Sequence, residues 1–319
     1  PVAERLSSLL EREVSFLPKT RGEEVNSFVG KMKNQDIVML ENTRYEDLDG
    51  KKESGCDEEL SKYWASLGDV FINDAFGTLH RAHASNVGIS KYLPKGIGLL
   101  VEQEIASLSI LKNPPHPYTI MLGGSKVKDK IGLIDALLPL CDKLLIGGGM
   151  AFTFLSADGY SVGNSLLDQD SVSYCKDLIE KYKEKLILPL VVVCSKNMDE
   201  NSPSLVKDMN EIDFDEMGLD IGPKTVELYK KYIKDAEIVF WNGPLGVYEI
   251  KKYSKGTNQL LQYLKDENIK TILGGGDIVA VAENLKITDD LYHVSTGGGA
   301  SLEYLEGKEL PGLKAIEEG

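Results

Sequence analysis

The chain has 319 residues, 42% of them hydrophobic, and a net charge of −14. That is enough apolar material for a large core and enough length for two domains. With a pI near 4.9 and no basic stripe, nucleic acid is excluded as a partner, because its binding needs many Lys/Arg contacts to phosphate. No apolar run reaches the length of a membrane span and no secretory leader is visible. Cys56, Cys141, Cys175 and Cys194 show no C-x-x-C spacing, which gives neither a zinc site nor a disulfide framework and fits a reducing, cytoplasmic setting. His80 and His83 lack further ligands at metal-site spacing.

In chain order, Val2 to Glu13 has the periodicity of an amphipathic helix. Ile37 to Leu40 reads as a buried strand and runs straight into Glu41-Asn42-Thr43-Arg44-Tyr45. Asp57 caps a helix through Leu67, with Leu60, Tyr63, Trp64 and Leu67 on its inner face. Tyr63 and Trp64 are expected in the core. The strand Asp69 to Ile72 ends in a polar loop from Asn73 to Ser85. Its Arg81 is a candidate anion clamp, since a guanidinium fork meets a carboxylate or phosphate at two points; in isolation an ordinary surface arginine is the simpler account. Leu99 to Lys112 reads as one long helix, stopped by Asn113-Pro114-Pro115-His116-Pro117, a candidate domain boundary.

From Tyr118 to Val294 the chain reads as a run of strand–helix units, with helices expected at 126–142, 170–185, 224–234, 255–267 and 277–285. Such alternation implies a parallel sheet with helices on both faces. Five of its strands run into glycine: Tyr118 to Leu122 into Gly123-Gly124, Leu144 to Ile146 into Gly147-Gly148-Gly149, Ile238 to Trp241 into Asn242-Gly243-Pro244-Leu245-Gly246, Thr271 to Leu273 into Gly274-Gly275-Gly276-Asp277, and His293 to Ser295 into Thr296-Gly297-Gly298-Gly299. In open parallel sheets, ligands bind beyond the carboxyl ends of the strands, and glycine there admits close backbone approach. A helix starting near Lys126 would place Lys126 and Lys130 one turn apart on the same side. Two cations on a helix N-terminus conflict with its partial positive charge unless an anion sits between them; a solvated lysine pair is the alternative. No G-x-x-x-x-G-K-[ST] is present, and no G-x-G-x-x-G follows a strand, which excludes a Walker-A NTPase and weighs against a dinucleotide oxidoreductase.

Across almost its whole length the sequence resembles the phosphoglycerate kinases of bacteria. The matching stretches are LENTRYEDLDGKKES (40–54), INDAFGTLHRAHASN (72–86), GGSKVKDKIG (123–132), IGGGMAFTFL (146–155), GLDIGPKT (218–225), WNGPLGVYE (241–249), GGGD (274–277) and STGGGASLEYLEGKELPGL (295–313). The resemblance implies an α/β protein of two Rossmann-like parallel-sheet domains joined by a hinge helix. It divides the chain into an incomplete phosphoglycerate-binding domain (1–98), an interdomain helix (99–113), a nucleotide-binding domain (114–304) and a tail (305–319) returning to the first domain.

It implies reversible phosphoryl transfer between 1,3-bisphosphoglycerate and Mg-ADP, giving 3-phosphoglycerate and ATP, in a monomeric glycolytic enzyme. Arg44 and Arg81 would bind the triose, Lys130 the nucleotide phosphates, and Lys126 the phosphoryl group in transfer. Asp277 would bind Mg²⁺ and Glu249 the ribose. Gly148, Gly149, Gly218, Gly222, Asn242, Gly243 and Gly246 would line the adenosine and phosphate slot, with Gly275, Gly276 and Gly298 at the phosphates.

The family pattern begins before the position matching Pro1, in a part that carries further substrate and catalytic residues, so the chain by itself is expected to be inactive. Ile278 stands where the family has Ser or Thr, leaving only its backbone N–H for the ligand. Val191 stands where related sequences often carry Asp, and Leu245 and Tyr248 replace Met and Phe.

Overall fold

The computed structural model describes residues 1–318. The chain divides into two compact units, one formed by Pro1–Glu102 with the segment from Glu309 onward, the other by Gln103–Lys308.

In the first unit, Val14–Phe16 pairs in parallel with Ile37–Met39, and Phe71–Asn73 pairs in parallel with Lys95–Ile97. Each pair is a separate two-stranded sheet. Asp57 caps the helix Glu58–Ala65 by accepting from the Leu60 N–H, which satisfies one of the donors a helix start leaves open. Leu60 and Trp64 pack with Ala84, and the Trp64 indole donates to the Thr20 carbonyl at 2.7 Å. Trp64 is core, as its spacing predicts, whereas Tyr63 is half-buried and turns its hydroxyl to Asn26. The last helix, Pro311–Glu317, belongs to this unit; its Gly312 N–H donates to the Leu79 carbonyl at 2.9 Å.

The second unit is built on a six-stranded parallel sheet. Its spatial order is His293–Val294, Thr271–Gly274, Ile238–Asn242, Tyr118–Leu122, Lys143–Ile146, Leu186–Ile187. The chain enters at Tyr118–Leu122, builds outward to Leu186–Ile187, then returns to the other side at Ile238–Asn242. The order therefore reverses between those two central strands, the place where open α/β sheets hold ligands. Both central strands are buried throughout, as a sheet covered on both faces requires. Leu122, Ile146, Asn242 and Gly274 lie in register across neighbouring strands, so the glycine runs that follow all emerge at one end. Trp241, Leu260, Leu273, Ile278 and Tyr229 lie in one core cluster against the sheet.

Two expectations need correction. The helix expected from Lys126 to Asp142 is shorter: Lys126 is extended (φ −128°, ψ 138°), Val127–Lys130 is a 3₁₀ turn, and the α-helix covers only Ile131–Leu137. Lys126 and Lys130 are thus not stacked one helical turn apart. Asp168 supplies a physical reason, since its carboxylate takes the Lys128 N–H at 3.0 Å and fixes the turn from outside. Strand–helix alternation is also broken by a three-stranded antiparallel sheet with Val191–Ser195 between Ser204–Asp208 and Met217–Ile221. The other expected helices appear at Val172–Tyr182, Pro223–Lys234, Lys255–Asp266 and Gly276–Asn284. Leu99–Ser109 is α-helical and Ile110–Lys112 continues it as a 3₁₀ turn. Among the described residues, no helix is long and apolar enough to cross a membrane.

Candidate functional site

At the carboxyl end of the six-stranded sheet the glycine loops are joined backbone to backbone. The Gly123 N–H donates to the Asn242 carbonyl at 2.9 Å, Gly124 N–H to Pro244 at 3.0 Å, and Gly148 N–H to Leu245 at 2.9 Å. Gly148 and Gly243 take left-handed backbone angles, φ +64° and +83°, which other residues adopt only with strain. This knot is one edge of a cleft of about 530 Å³. The antiparallel sheet supplies the opposite wall through Met217–Ile221. Phe152, Val192 and Leu219 make the interior apolar. The tip of the Phe152 ring meets Gly218, where any Cβ would come within 2.1 Å of it.

Of the residues singled out from sequence, Gly148, Gly149, Gly218, Gly246, Glu249 and Asp277 line this cleft. Glu249 and Asp277 are exposed at its rim. Lys130 is half-buried, with its ammonium on the Asn242 carboxamide oxygen. Burial lowers the pKa of Lys130, against the pull of Asp129, Asp277 and Glu306. Lys126 is exposed and contributes to the field at Asp168. Gly276 and Gly298, at the starts of the helices Gly276–Asn284 and Gly299–Leu305, would meet nothing within 4 Å on gaining a Cβ. Their backbone is open to a ligand.

Other candidates are placed elsewhere. Gly222 is not in the cleft lining; its N–H donates to Val191 and a Cβ would meet the Val191 side chain at 2.6 Å. Gly243 and Gly275 are held against Gly123 and the Asn242 side chain respectively. Asn242 is fully buried and donates to the Gly274 carbonyl, tying two strand ends together. The Ile278 side chain is in the core, so only its backbone could serve a ligand.

Arg44 and Arg81 belong to the first unit, on the loops that follow Ile37–Met39 and Phe71–Asn73. Arg44 pairs with Asp47 at 3.0 Å and reaches the His83 ring at 3.5 Å. Burial holds the His83 pKa below its usual value, and both arginines push it further down while Glu53 opposes them. His83 therefore joins Arg44 and Arg81 as a site candidate that spacing alone did not isolate. Buried Glu53 fixes the backbone there, accepting from the Ser85 N–H at 3.0 Å.

Asp220 was also missed. It lines the cleft and is 3% exposed. Its carboxyl accepts from the Gly256 N–H at 2.8 Å and the Ile221 N–H at 2.9 Å. Burial pushes its pKa up to about 8, and the backbone hydrogen bonds offset only part of that. An unfolded aspartate titrates near ~3.9, so between those values the folded chain holds a proton that the unfolded chain does not. Stability from this group is then greatest below the unfolded pKa and is lost as pH rises to the folded one. Asp220→Asn should flatten the decline in urea midpoint between about pH 5 and 8, a slope of up to roughly 1.4 kcal/mol per pH unit. An unchanged slope would mean that Asp220 is ionised throughout.

Among the described residues, no group of three His, Cys, Asp or Glu side chains could hold a metal ion. Asp277 at the cleft rim is a single carboxylate. That suits Mg²⁺, which keeps several waters and is held by one or two carboxylates together with substrate phosphates.

The family model described as "Phosphoglycerate kinase" matches residues 1–308. The chain is 53% identical over 321 residues to a phosphoglycerate kinase of Enterococcus faecalis, covering 100% of this chain and 81% of that protein. A phosphoglycerate kinase of Macrococcus caseolyticus is 51% identical over 320 residues, with the same coverage. Among solved structures, phosphoglycerate kinase from Coxiella burnetii superposes with a TM-score of 0.86 at 37% identity, covering 100% of this chain and 80% of that one. The enzyme from Pyrococcus horikoshii gives 0.86 at 28% identity over 99% and 81%.

Proposed function

The chain belongs to the phosphoglycerate kinase family of glycolytic phosphotransferases, and we propose that its second unit binds Mg-ADP or Mg-ATP in the cleft between the glycine knot and the antiparallel sheet. The observation that carries this reading is the convergence of Gly148, Gly149, Gly218, Gly246, Glu249 and Asp277 on one apolar cleft at the strand-order reversal. The adenine would lie in the Phe152, Val192 and Leu219 slot, and Glu249 at the rim would accept from the ribose hydroxyls. Lys130 would leave the Asn242 carboxamide for a phosphate, a stronger charge-assisted contact. The open N–H groups at Gly276 and Gly298, with Gly275 shaping the turn, would face the phosphate chain, and Asp277 would hold the magnesium ion. Bound there, Mg²⁺ would neutralise phosphate charge; the protein's share is positioning. Exposed Lys126 would meet the phosphoryl group as it transfers.

In the first unit, Arg44 and Arg81 both act on the His83 ring in one loop cluster, with Asp47 and Glu53 beside it. We assign to this cluster the anionic triose, 3-phosphoglycerate or the 1,3-bisphosphoglycerate acyl phosphate. A monomeric, cytoplasmic protein with no nucleic-acid or membrane partner accords with the acidic balance and the absence of a basic stripe.

Calorimetric titration with Mg-ADP tests the nucleotide site directly and does not depend on turnover. Lys130→Ala should weaken binding by about tenfold to a hundredfold, the worth of one charge-assisted phosphate contact. Equal affinity in the two proteins would remove Lys130 from the site. No binding by the folded parent chain would overturn the nucleotide assignment.

A further inference from the structure

Among the described residues, one side chain hydrogen-bonds Asp277 in the cleft. The Tyr248 hydroxyl donates to its Oδ1 at 3.2 Å. Tyr248 lies on the loop after Ile238–Asn242, and Asp277 lies in the first turn of Gly276–Asn284, after Thr271–Gly274. Those two strands are neighbours, with Asn242 and Gly274 in register, so the contact bridges two adjacent loops across the cleft mouth. The Tyr248 ring packs against the core cluster that contains Trp241 and Ile278, which fixes where its hydroxyl points. The residue next to Asp277 cannot play this part: Ile278 has no polar side-chain atom, and its side chain is fully buried.

We propose that Tyr248 is a positioning residue for metal-nucleotide binding, holding the Asp277 carboxylate by one oxygen and presenting the other to the cation. This rests on reading Asp277 as the metal carboxylate. An exposed carboxylate on a first helical turn samples several rotamers, and ordering it on binding costs affinity. A phenol whose ring packs against the core orders it beforehand. The same hydrogen bond leaves Oδ2 free, which is the single-oxygen contact that Mg²⁺ takes from a carboxylate while phosphates and water fill its other positions. Partners of metal ligands that work this way typically account for about tenfold to a hundredfold in metal affinity. Exposure of the pair places Tyr248 at the lower end.

The test compares ADP binding with Mg²⁺ and with EDTA in the parent chain, Tyr248→Phe, Asp277→Ala and the double variant, by calorimetry. Tyr248→Phe keeps the ring and its packing, and Trp241 fluorescence checks that the fold is retained. The tightening of ADP binding by Mg²⁺ should fall by about tenfold in Tyr248→Phe, while metal-free ADP binds as in the parent. On the Asp277→Ala background, Tyr248→Phe should change nothing. An unchanged Mg²⁺ dependence, equal weakening with and without the metal, or an undiminished effect without Asp277 would each overturn the proposal. If the parent chain itself binds ADP with no Mg²⁺ dependence, the assignment of Asp277 fails and the proposal with it, an outcome visible before any variant is made.

Discussion

Glu104→Ala is expected to lower the stability of the second unit by about 3–5 kcal/mol, the cost of breaking a buried charged network on one side only. Glu104 is fully buried on the helix Leu99–Ser109. Its Oε2 meets the His293 Nε2 at 2.8 Å. Its Oε1 accepts from the Thr296 N–H at 2.7 Å and the Thr296 hydroxyl at 2.8 Å. Truncation leaves the buried His293 ring without its partner, while exposed Thr296 can turn to water, and an unmade buried hydrogen bond costs more than a made one contributes. Glu104→Gln keeps the shape and the Thr296 contacts but turns an amide toward His293, so it should cost less.

The acid limb of the stability curve gives a second readout. Burial alone would raise the Glu104 pKa, but the hydrogen bonds from His293, Thr296 and Ser295 together bring it below the usual value. A carboxylate with a depressed folded pKa contributes stability above its unfolded pKa and loses it as pH falls through the folded one. The acid loss of stability in the parent should therefore shrink in Glu104→Ala. The chain has two tryptophans, Trp64 in the first unit and Trp241 in the second. On a Trp64→Phe background, urea unfolding followed by fluorescence reports the second unit alone. A loss under about 1 kcal/mol would show that Glu104 and its partners are not coupled in the way the distances imply.

The Glu104 network also marks a limit of what a sequence reveals. Glu104 and His293 are 189 residues apart, and neither stands out by neighbours or period. The five strand–glycine junctions were legible because each is local: a buried strand has a recognisable composition, and its end is where the chain must turn. Their gathering at one sheet end then followed from the rules of parallel topology. The start of the helix after Gly124 was not legible. The apolar spacing of Ile131, Ile134 and Leu137 locates the helix, but its first turn is decided by Asp168, forty residues downstream. The antiparallel sheet escaped for a related reason. Val191–Ser195 is an apolar run that strand–helix alternation also explains, and only its pairing with Ser204–Asp208 across a polar turn separates the two. Tyr248 looks like a conservative aromatic swap in sequence, and its hydrogen bond to Asp277 appears only once two loops are placed side by side.

Glycines pose the hardest case, because sequence cannot distinguish a glycine that admits a ligand from one that admits another backbone. Gly123 is of the second kind. An added Cβ would lie 2.0 Å from the Pro244 carbonyl oxygen and 2.7 Å from that of Gly243. Both are backbone atoms of the loop that Gly123 itself is bonded to through Asn242. No rotamer change can relieve such a clash, so the strand ends must separate. Gly123→Ala should cost about 3 kcal/mol, at the upper end for overpacking, and should weaken Mg-ADP binding at the same time, because Gly124 and Gly148 line the cleft. Gly276 is of the first kind, with nothing within 4 Å of an added Cβ and an ordinary helical position. Gly276→Ala should leave stability unchanged or raise it by up to about 1 kcal/mol, since alanine favours the helix. It should nevertheless weaken Mg-ADP binding if the nucleotide phosphates approach that backbone. Paired thermal melts and titrations of the two variants separate the roles: loss of both properties at Gly123, loss of binding alone at Gly276. A stable, fully binding Gly276→Ala protein would move the phosphates away from this helix start, and with them the reason for placing a metal ion at Asp277.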